Sequence, residues 1–558
     1  MAIAQEDGRA RKTGAFAPLV QPVFRRIWIA SLFSNFGQLI LGVGAAWEMA
    51  RMTGNSPTMV ALVQSAMMLP LMLVAVPAGA IADMFDRRRI ALTGLACAAL
   101  ASAVLTGLAY GGMVTPWLLL GFCVLIGGGV ALYAPSWQAS ISEQVSEEHL
   151  PAAIGLGSIS YNVARSFGPA LGGMIVLAAG AKVAFGINAA FYIPLWVAFF
   201  FWQRRHTPSR LPPERIDRAI VSGARYTFHS PAIRTVLVRA LVFGICNAAS
   251  TALGPVIVTS LLHGDAGVFG LMLGATGVGA VAGALMLADL RQKVSVEVLV
   301  RCFAIMNGAA VLGLAFSQSV VLSALAFFVV GFSGMQTVSL FNISVQLTAP
   351  RWVTARALSL YSSALTGGIA AGAWGWGALA SQFGVSFALA VAGGCAAATA
   401  LLGSVLPLPR DQDADTQEVR LENEPEVGLA LTLRSGPVVI EVEYGVDPDQ
   451  ARGFYAAALE LQRLRKRNGG FDWSISRDIA NPALWTERYH CPTWGDYLRM
   501  RDRYTQSDLD VQANVYTYCV DGGVRHVRRW LERPFGSVRW QADSPDPQIA
   551  PSIGYMGH

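Results

Sequence analysis

Twelve apolar stretches, each about as long as a bilayer is thick, leave this chain few ways to fold. They run at about 27–47, 58–82, 90–110, 114–138, 152–180 and 184–202, then at about 236–262, 267–289, 296–316, 319–345, 354–383 and 385–407. A helix crosses the hydrocarbon with about 20 predominantly apolar residues, and each stretch reaches that length. The sequence is 53% hydrophobic and 14% charged, where a soluble chain of this size carries about a quarter charged residues. Most of it must face lipid or a buried bundle.

The connections sort by charge. On one side fall the Arg87–Arg89 cluster, the segment 203–234 with Arg204, Arg205, Arg210, Arg215 and Arg218, Arg291 with Lys293, and Arg351 with Arg356. On the other fall YGGMVTP, GAK, HGD, SQS and SQFG, with Lys182 and Arg51 as the exceptions. Lys and Arg near span ends hold their loops in the cytoplasm. The pattern predicts an even number of spans with both termini inside, in agreement with the basic tail carrying Arg9, Arg11, Lys12, Arg25 and Arg26. The net charge of +6 belongs to these loops and calls for no nucleic-acid partner. The first 24 residues lack an apolar core, so no cleavable signal is expected. The seven cysteines stand singly, which argues against disulfides, structural zinc or another metal site. No Gly-rich loop with Lys offers an ATP site, and no cofactor is implied.

The stretch 79–90, GAIADMFDRRRI, interrupts two apolar runs with charge. Charges here cannot sit cheaply in hydrocarbon, so the hinge lies at a membrane face. Asp83 closes one helix while the Arg cluster opens the next, so the acid can pair with a cation on a neighbouring helix. Gly79, Asp83, Arg87 and Arg88 resemble the signature loop between the second and third helices of the major facilitator superfamily. Met84 replaces a usual basic residue and Asp86 a usual Gly. The Asp before the Arg run is similar to the branch of enterobactin-exporter-like permeases, the transmembrane secretion effectors.

A second resemblance lies in YNVARSFGPALGGMIV of the fifth stretch. Gly168, Pro169, Gly172 and Gly173 match the superfamily's antiporter motif, with Ala164 in place of its leading Gly. Gly168 and Gly172 share one helix face and permit close contact, and Pro169 bends the helix. An internal repeat fits two halves: Asp83 with Arg87 returns as Asp289 with Lys293, and Gln144 before AAIGLGSIS returns as Gln346 before ARALSLYSS. The resemblance covers roughly residues 20–407. It implies an all-α membrane protein of twelve transmembrane helices in two pseudo-symmetric six-helix halves, with a transport path at their interface.

Within that path two charges stand out. Arg165 is the basic residue inside a predicted span of the first half. Either it faces the central cavity and contacts an anionic or hydrogen-bonding substrate, or it is a structural partner of a carbonyl or of Glu143. Glu48 either carries a coupling proton or is an interfacial carboxylate paired with Arg51. The fourth stretch has no Arg, where many proton-driven members carry one. Asn35, Gln38, Tyr133, Gln138, Asn162, Asn188, Tyr192, Asn247, Asn307, Gln336 and Asn342 are polar positions on apolar helices, some lining a cavity and some joining helices.

The domain organisation expected is a cytoplasmic tail at 1–24, a six-helix bundle at 25–202, a cytoplasmic linker at 203–234 with a surface helix near 214–229, and a second bundle at 235–407. An acidic linker at 408–427, a soluble α+β domain at 428–540 and a tail at 541–558 complete it. In the soluble domain PVVIEVEYGV alternates as a strand, and DPDQARGFYAAALELQRLRKRNGG reads as a helix ending at Gly469 and Gly470. FDWSISRDI and LWTERYHC follow as strands, then a helical region from TWGDYLRM and a strand near VRHVRRWLERPF. This order resembles the ferredoxin-like antibiotic-biosynthesis-monooxygenase module, and similar permeases carry such a tail. His490, His526, Trp473, Trp494 and Tyr497 leave open a small oxygenase or haem-contacting site, against a regulatory or dimerising module. Together the resemblances imply a multi-pass exporter in the inner (plasma) membrane. It would move a siderophore or drug-like molecule by alternating access in exchange for protons. The alternative is a permease whose tail modifies or senses the exported molecule. The partners expected are a small-molecule substrate, the bilayer and, through the tail, a second copy.

Overall fold

The computed structural model describes residues 17–84, 86–146, 149–203, 216–409 and 425–532. Six long helices open it: α1 (Pro22–Met52), α2 (Pro57–Met84), α3 (Arg87–Tyr110), α4 (Pro116–Gln144), α5 (Leu150–Ala179) and α6 (Ala181–Phe201). After α7 (Ile216–His229), six more spans follow. They are α8 (Pro231–Ala252) with its continuation α9 (Gly254–Ser260), α10 (Ala266–Lys293), α11 (Val296–Phe316), α12 (Val320–Thr348), α13 (Arg351–Phe383) and α14 (Val385–Ala398). Among the described residues, ten helices are long and apolar enough to cross a membrane; α5 and α13 complete the two sets of six.

Local chemistry sets the helix ends. α1, α4, α5 and α9 each begin with Pro in the first turn, where a missing N–H costs nothing. Asp86 accepts from the Arg88 N–H at 2.9 Å and Asp265 from those of Gly267 and Val268 at 2.9 and 3.1 Å, capping α3 and α10. α5 and α13 both end at a glycine, Gly180 (φ +82°) and Gly384 (φ +89°), whose backbone a side chain would strain. These equivalent turns repeat the plan of one half in the other. One expectation is corrected. The stretch 236–262 is not a single helix but breaks at Leu253, because Pro255 removes the N–H that would continue the ladder.

The chain divides into two compact units. The bundle unit holds the first six helices and, from the second set, Thr235–Ser344 and Leu358–Leu408. Its core is built where helices face each other, with Phe24, Leu41, Met49, Leu95, Leu105, Phe185, Tyr192 and Phe199 fully buried.

The second unit joins the C-terminal domain to Val221–Arg234 and Val345–Ala357. The domain runs β1 (Val438–Val446), α15 (Ala451–Asn468), β2 (Phe471–Arg477), β3 (Leu484–Cys491), α16 (Trp494–Asp502), α17 (Gln506–Tyr516), β4 (Cys519–Leu531). Its antiparallel sheet has the order β2-β3-β1-β4. Alternate residues Val438, Ile440, Val442, Tyr444 and Val446 of β1 pack against Phe454, Ala457, Ala458, Leu461 and Leu464 of α15. Gly469, at φ +111°, ends α15 in a left-handed turn that donates to the Arg465 and Lys466 carbonyls. The expected second helical region is two helices, because Thr505 and Asp508 form a capping box that restarts the chain as α17.

In the same unit the Arg467 guanidinium lies 5.3 Å from the Tyr226 ring of α7 and pairs with Asp508. Arg356 donates to Ser222 Oγ at 3.0 Å. Burial pushes the Tyr226 phenol up to about 12, with Arg467 pulling the other way.

Candidate functional site: the seam between the two six-helix sets

α5 carries the chemistry, and its glycines decide what it touches. A Cβ on Gly168 would lie 3.0 Å from the Leu39 Cβ, and one on Gly172 would lie 3.2 Å from the Ile40 Cα. Both glycines therefore seat α5 against α1. A Cβ on Gly173 would fall 2.3 Å from the Gly270 Cα, so at that level α5 lies backbone to backbone against α10 of the other half. Gly274 approaches Ala170 in the same crossing. The pair α2 and α13 repeats it: Thr58 Oγ1 lies 2.7 Å from Ser381 Oγ, Ser65 Oγ donates to the Ala370 carbonyl at 2.7 Å, and Met72 touches Gly367. Two antiparallel crossings thus join the halves.

Arg165 stands midway along α5, the sixteenth of its 30 residues. At about 100° per residue it lies between the face of Gly168 and Gly172 and the face of Gly173, hence towards the seam. It is half-buried, and its charge acts on the phenol of Tyr361, a residue of α13 in the other half. Tyr361 donates to the Val338 carbonyl at 2.9 Å. A neutral polar belt joins α5, α1 and α4: Ser160 Oγ accepts from Asn35 at 3.3 Å and lies 3.4 Å from Ser31 Oγ, and Ser34 Oγ lies 3.3 Å from the Tyr133 hydroxyl. In the second half Asn307 donates to Asn247 Oδ1 at 3.1 Å and Ser333 Oγ at 3.3 Å.

Charged latches close the ends of neighbouring helices. Arg87 pairs with Glu143 of α4 at 3.0 Å. Arg88 donates to the Phe199 carbonyl at 3.0 Å and to that of Phe200, at the end of α6. In the second half Glu297 takes Arg239 at 2.6 Å, Arg301 at 2.8 Å and the Leu408 N–H at 2.9 Å, while Arg239 also donates to the Leu406 carbonyl.

A protein-family model described as transmembrane secretion effector matches residues 13–535. The chain belongs to that family. The match runs through the bundle and the C-terminal domain alike. An uncharacterized MFS-type transporter of Bacillus subtilis, YfiS, is 26% identical over 61% of this chain and 82% of its own. The staphyloferrin A transporter of Staphylococcus aureus is 24% identical over 52% and 74%. The multidrug efflux pump Tap of Mycobacterium tuberculosis is 24% identical over 60% and 82%. Among solved structures, a bacterial homologue of the human lysosomal transporter Spinster, inward-facing and unoccupied, superposes with a TM-score of 0.54 at 13% identity. It covers 69% of this chain and 95% of its own. The POT family transporter PepTSo gives 0.55 at 12% identity, over 69% and 97%. These two likenesses show the fold. The chain is a multi-pass membrane transporter.

The residues singled out in the sequence of this secretion effector fall in three places. Gly168, Gly172 and Gly173 meet at the helix crossings, with Pro169 inside α5, and Arg165 lies on the seam. Arg87 and Arg88 form the latch, Gly79 lies within α2, and the Asp83 side chain lies outside the described residues. Glu48 sits near the end of α1 in an ion pair with Arg51 at 2.5 Å. Glu143, weighed as a partner of Arg165, pairs instead with Arg87. Of the polar positions, Asn188, Tyr192, Asn307 and Gln336 are fully buried, Gln138 is exposed, and the Asn162 side chain lies outside the described residues. In the tail His490 pairs with Glu532 at 3.3 Å, and Trp473 donates to Glu487. The sequence reading passed over Arg239 and Glu297. The rule that picks out Arg165, a charge inside an apolar stretch, finds both.

Proposed function

We propose that this secretion effector exports a small organic molecule of siderophore or drug-like kind by alternating access about the seam, in exchange for protons. The observation that carries this reading is the placement of Arg165, half-buried midway along a spanning helix between the faces that contact α1 and α10. A charge there is costly and by default functional, and Arg165 contacts the cargo. Glu48 is the carboxylate assigned to the coupling proton, its protonation releasing Arg51. The names of the staphyloferrin A transporter and of Tap support export of small molecules. The basic loops support cytoplasmic termini, and the antiparallel order β2-β3-β1-β4 supports a ferredoxin-like tail, to which we assign a regulatory or dimerising role. The test is efflux of a fluorescent probe from proteoliposomes holding the full chain, with and without an imposed pH gradient. The reading expects efflux that the gradient accelerates and that Glu48→Gln makes insensitive to it. Efflux indifferent to the gradient in the unmutated protein would remove proton exchange.

A further inference from the structure

We infer that the cargo is an organic anion, bound through an oxyanion group to Arg165; this rests on the seam being the transport path. Arg165 lies about 22 Å from either end of α5 at 1.5 Å per residue, deep in the bilayer. The guanidinium offers five N–H donors in a rigid fork, yet among the described residues it holds no hydrogen bond and no ion pair. Among the described residues, the carboxylates of the bundle unit lie elsewhere. Glu48 is held by Arg51, Glu143 by Arg87, and Glu297 by Arg239 and Arg301. Asp86 and Asp265 cap the N-termini of α3 and α10, and Asp289 is exposed at the end of α10.

Across the seam its charge acts on the neutral Tyr361 phenol, and no carboxylate pairs with it among the described residues. The site therefore carries one half-buried positive charge beside a phenol that does not compensate it. A carboxylate matches the guanidinium fork with two parallel hydrogen bonds. An organic cation would meet uncompensated repulsion. Export of such an anion is electrogenic, and an inside-negative potential drives it outward.

Two measurements on the full chain test this. In detergent, Arg165→Leu is expected to leave thermal unfolding unchanged or to raise its midpoint, because it removes a half-buried charge that no described group pairs. In proteoliposomes, the unmutated protein is expected to move anionic carboxyfluorescein at least tenfold faster than cationic rhodamine 123, and faster under a valinomycin-imposed potential. Arg165→Leu would abolish carboxyfluorescein movement, Arg165→Lys would keep part of it, and Arg165→Glu would reverse the preference. A midpoint several degrees lower in Arg165→Leu would show a structural partner and overturn the inference. Rhodamine 123 moving while carboxyfluorescein does not would overturn it too, yet leave the efflux reading standing. Neither dye moving would count against both.

Discussion

At the scale of single residues, the described buried charges of the C-terminal domain are paired. Glu487 is fully buried, and Tyr444, Arg465 and Trp473 all donate to it, at 2.9, 3.0 and 2.9 Å. Removing one member of a buried ion pair strands the other, at a cost of about 3–5 kcal/mol, whereas replacing both by apolar groups is often neutral. Glu487→Ala should therefore unfold the tail, read as rapid tryptic cleavage of residues 428–532 in the full-length protein. Arg465→Leu combined with Glu487→Leu should recover most of the resistance. Equal damage from the single and double variants would mean that the pair is not what holds this core. Arg165 is the contrasting case, a charge with no such network among the described residues.

Between elements, the contacts that matter are made by what is missing from the side chains. Gly173 against Gly270, and Gly274 against Ala170, let α5 and α10 approach more closely than any larger residue allows. A Cβ built on Gly274 lies 3.5 Å from the Ala170 Cβ, inside the range that a disulfide spans. The pair Ala170→Cys and Gly274→Cys should cross-link under mild oxidant, halt efflux and release it on reduction. Efflux that continues in fully cross-linked protein would show that the halves need not part here. In the tail, burial pushes the Cys491 thiol up to about 12, with Asp496 adding to the effect. At pH 8 Cys491 should resist maleimide in native protein and react once denaturant unfolds the sheet. Rapid labelling without denaturant would contradict its place in the core.

For the whole molecule, orientation follows from where the basic residues fall. Reporter fusions should place residues 203–234 and both termini on the cytoplasmic face, and the 111–115 and 261–265 turns outside. An external signal from the connector would invert the assignment of sides. The helix count was legible because hydrocarbon demands about 20 apolar residues per crossing and little else. So were α7 and the succession of strands and helices along the tail, where alternation and caps act within a few residues of the chain. The break at Pro255 was also written in the sequence, but a proline inside an apolar run does not say whether its helix bends or ends. The latch of Arg239 on Glu297 joins residues 58 positions apart, a pairing that no local pattern carries.

What the sequence by itself determined is the membrane-spanning helical plan, the doubling of that plan, the separate α+β tail and the presence of one cation deep in the fifth span. Each is a matter of hydropathy, periodicity or spacing within a short window. Which carboxylate meets which arginine was decided only by tertiary structure. Across helices, Arg87 holds Glu143 and Arg239 holds Glu297, while Arg165 faces the seam; the Glu48–Arg51 pair lies within one turn of α1 and was open to the sequence. The reason is physical: pairing between helices depends on distances of a few ångströms that helix packing sets, not position along the chain.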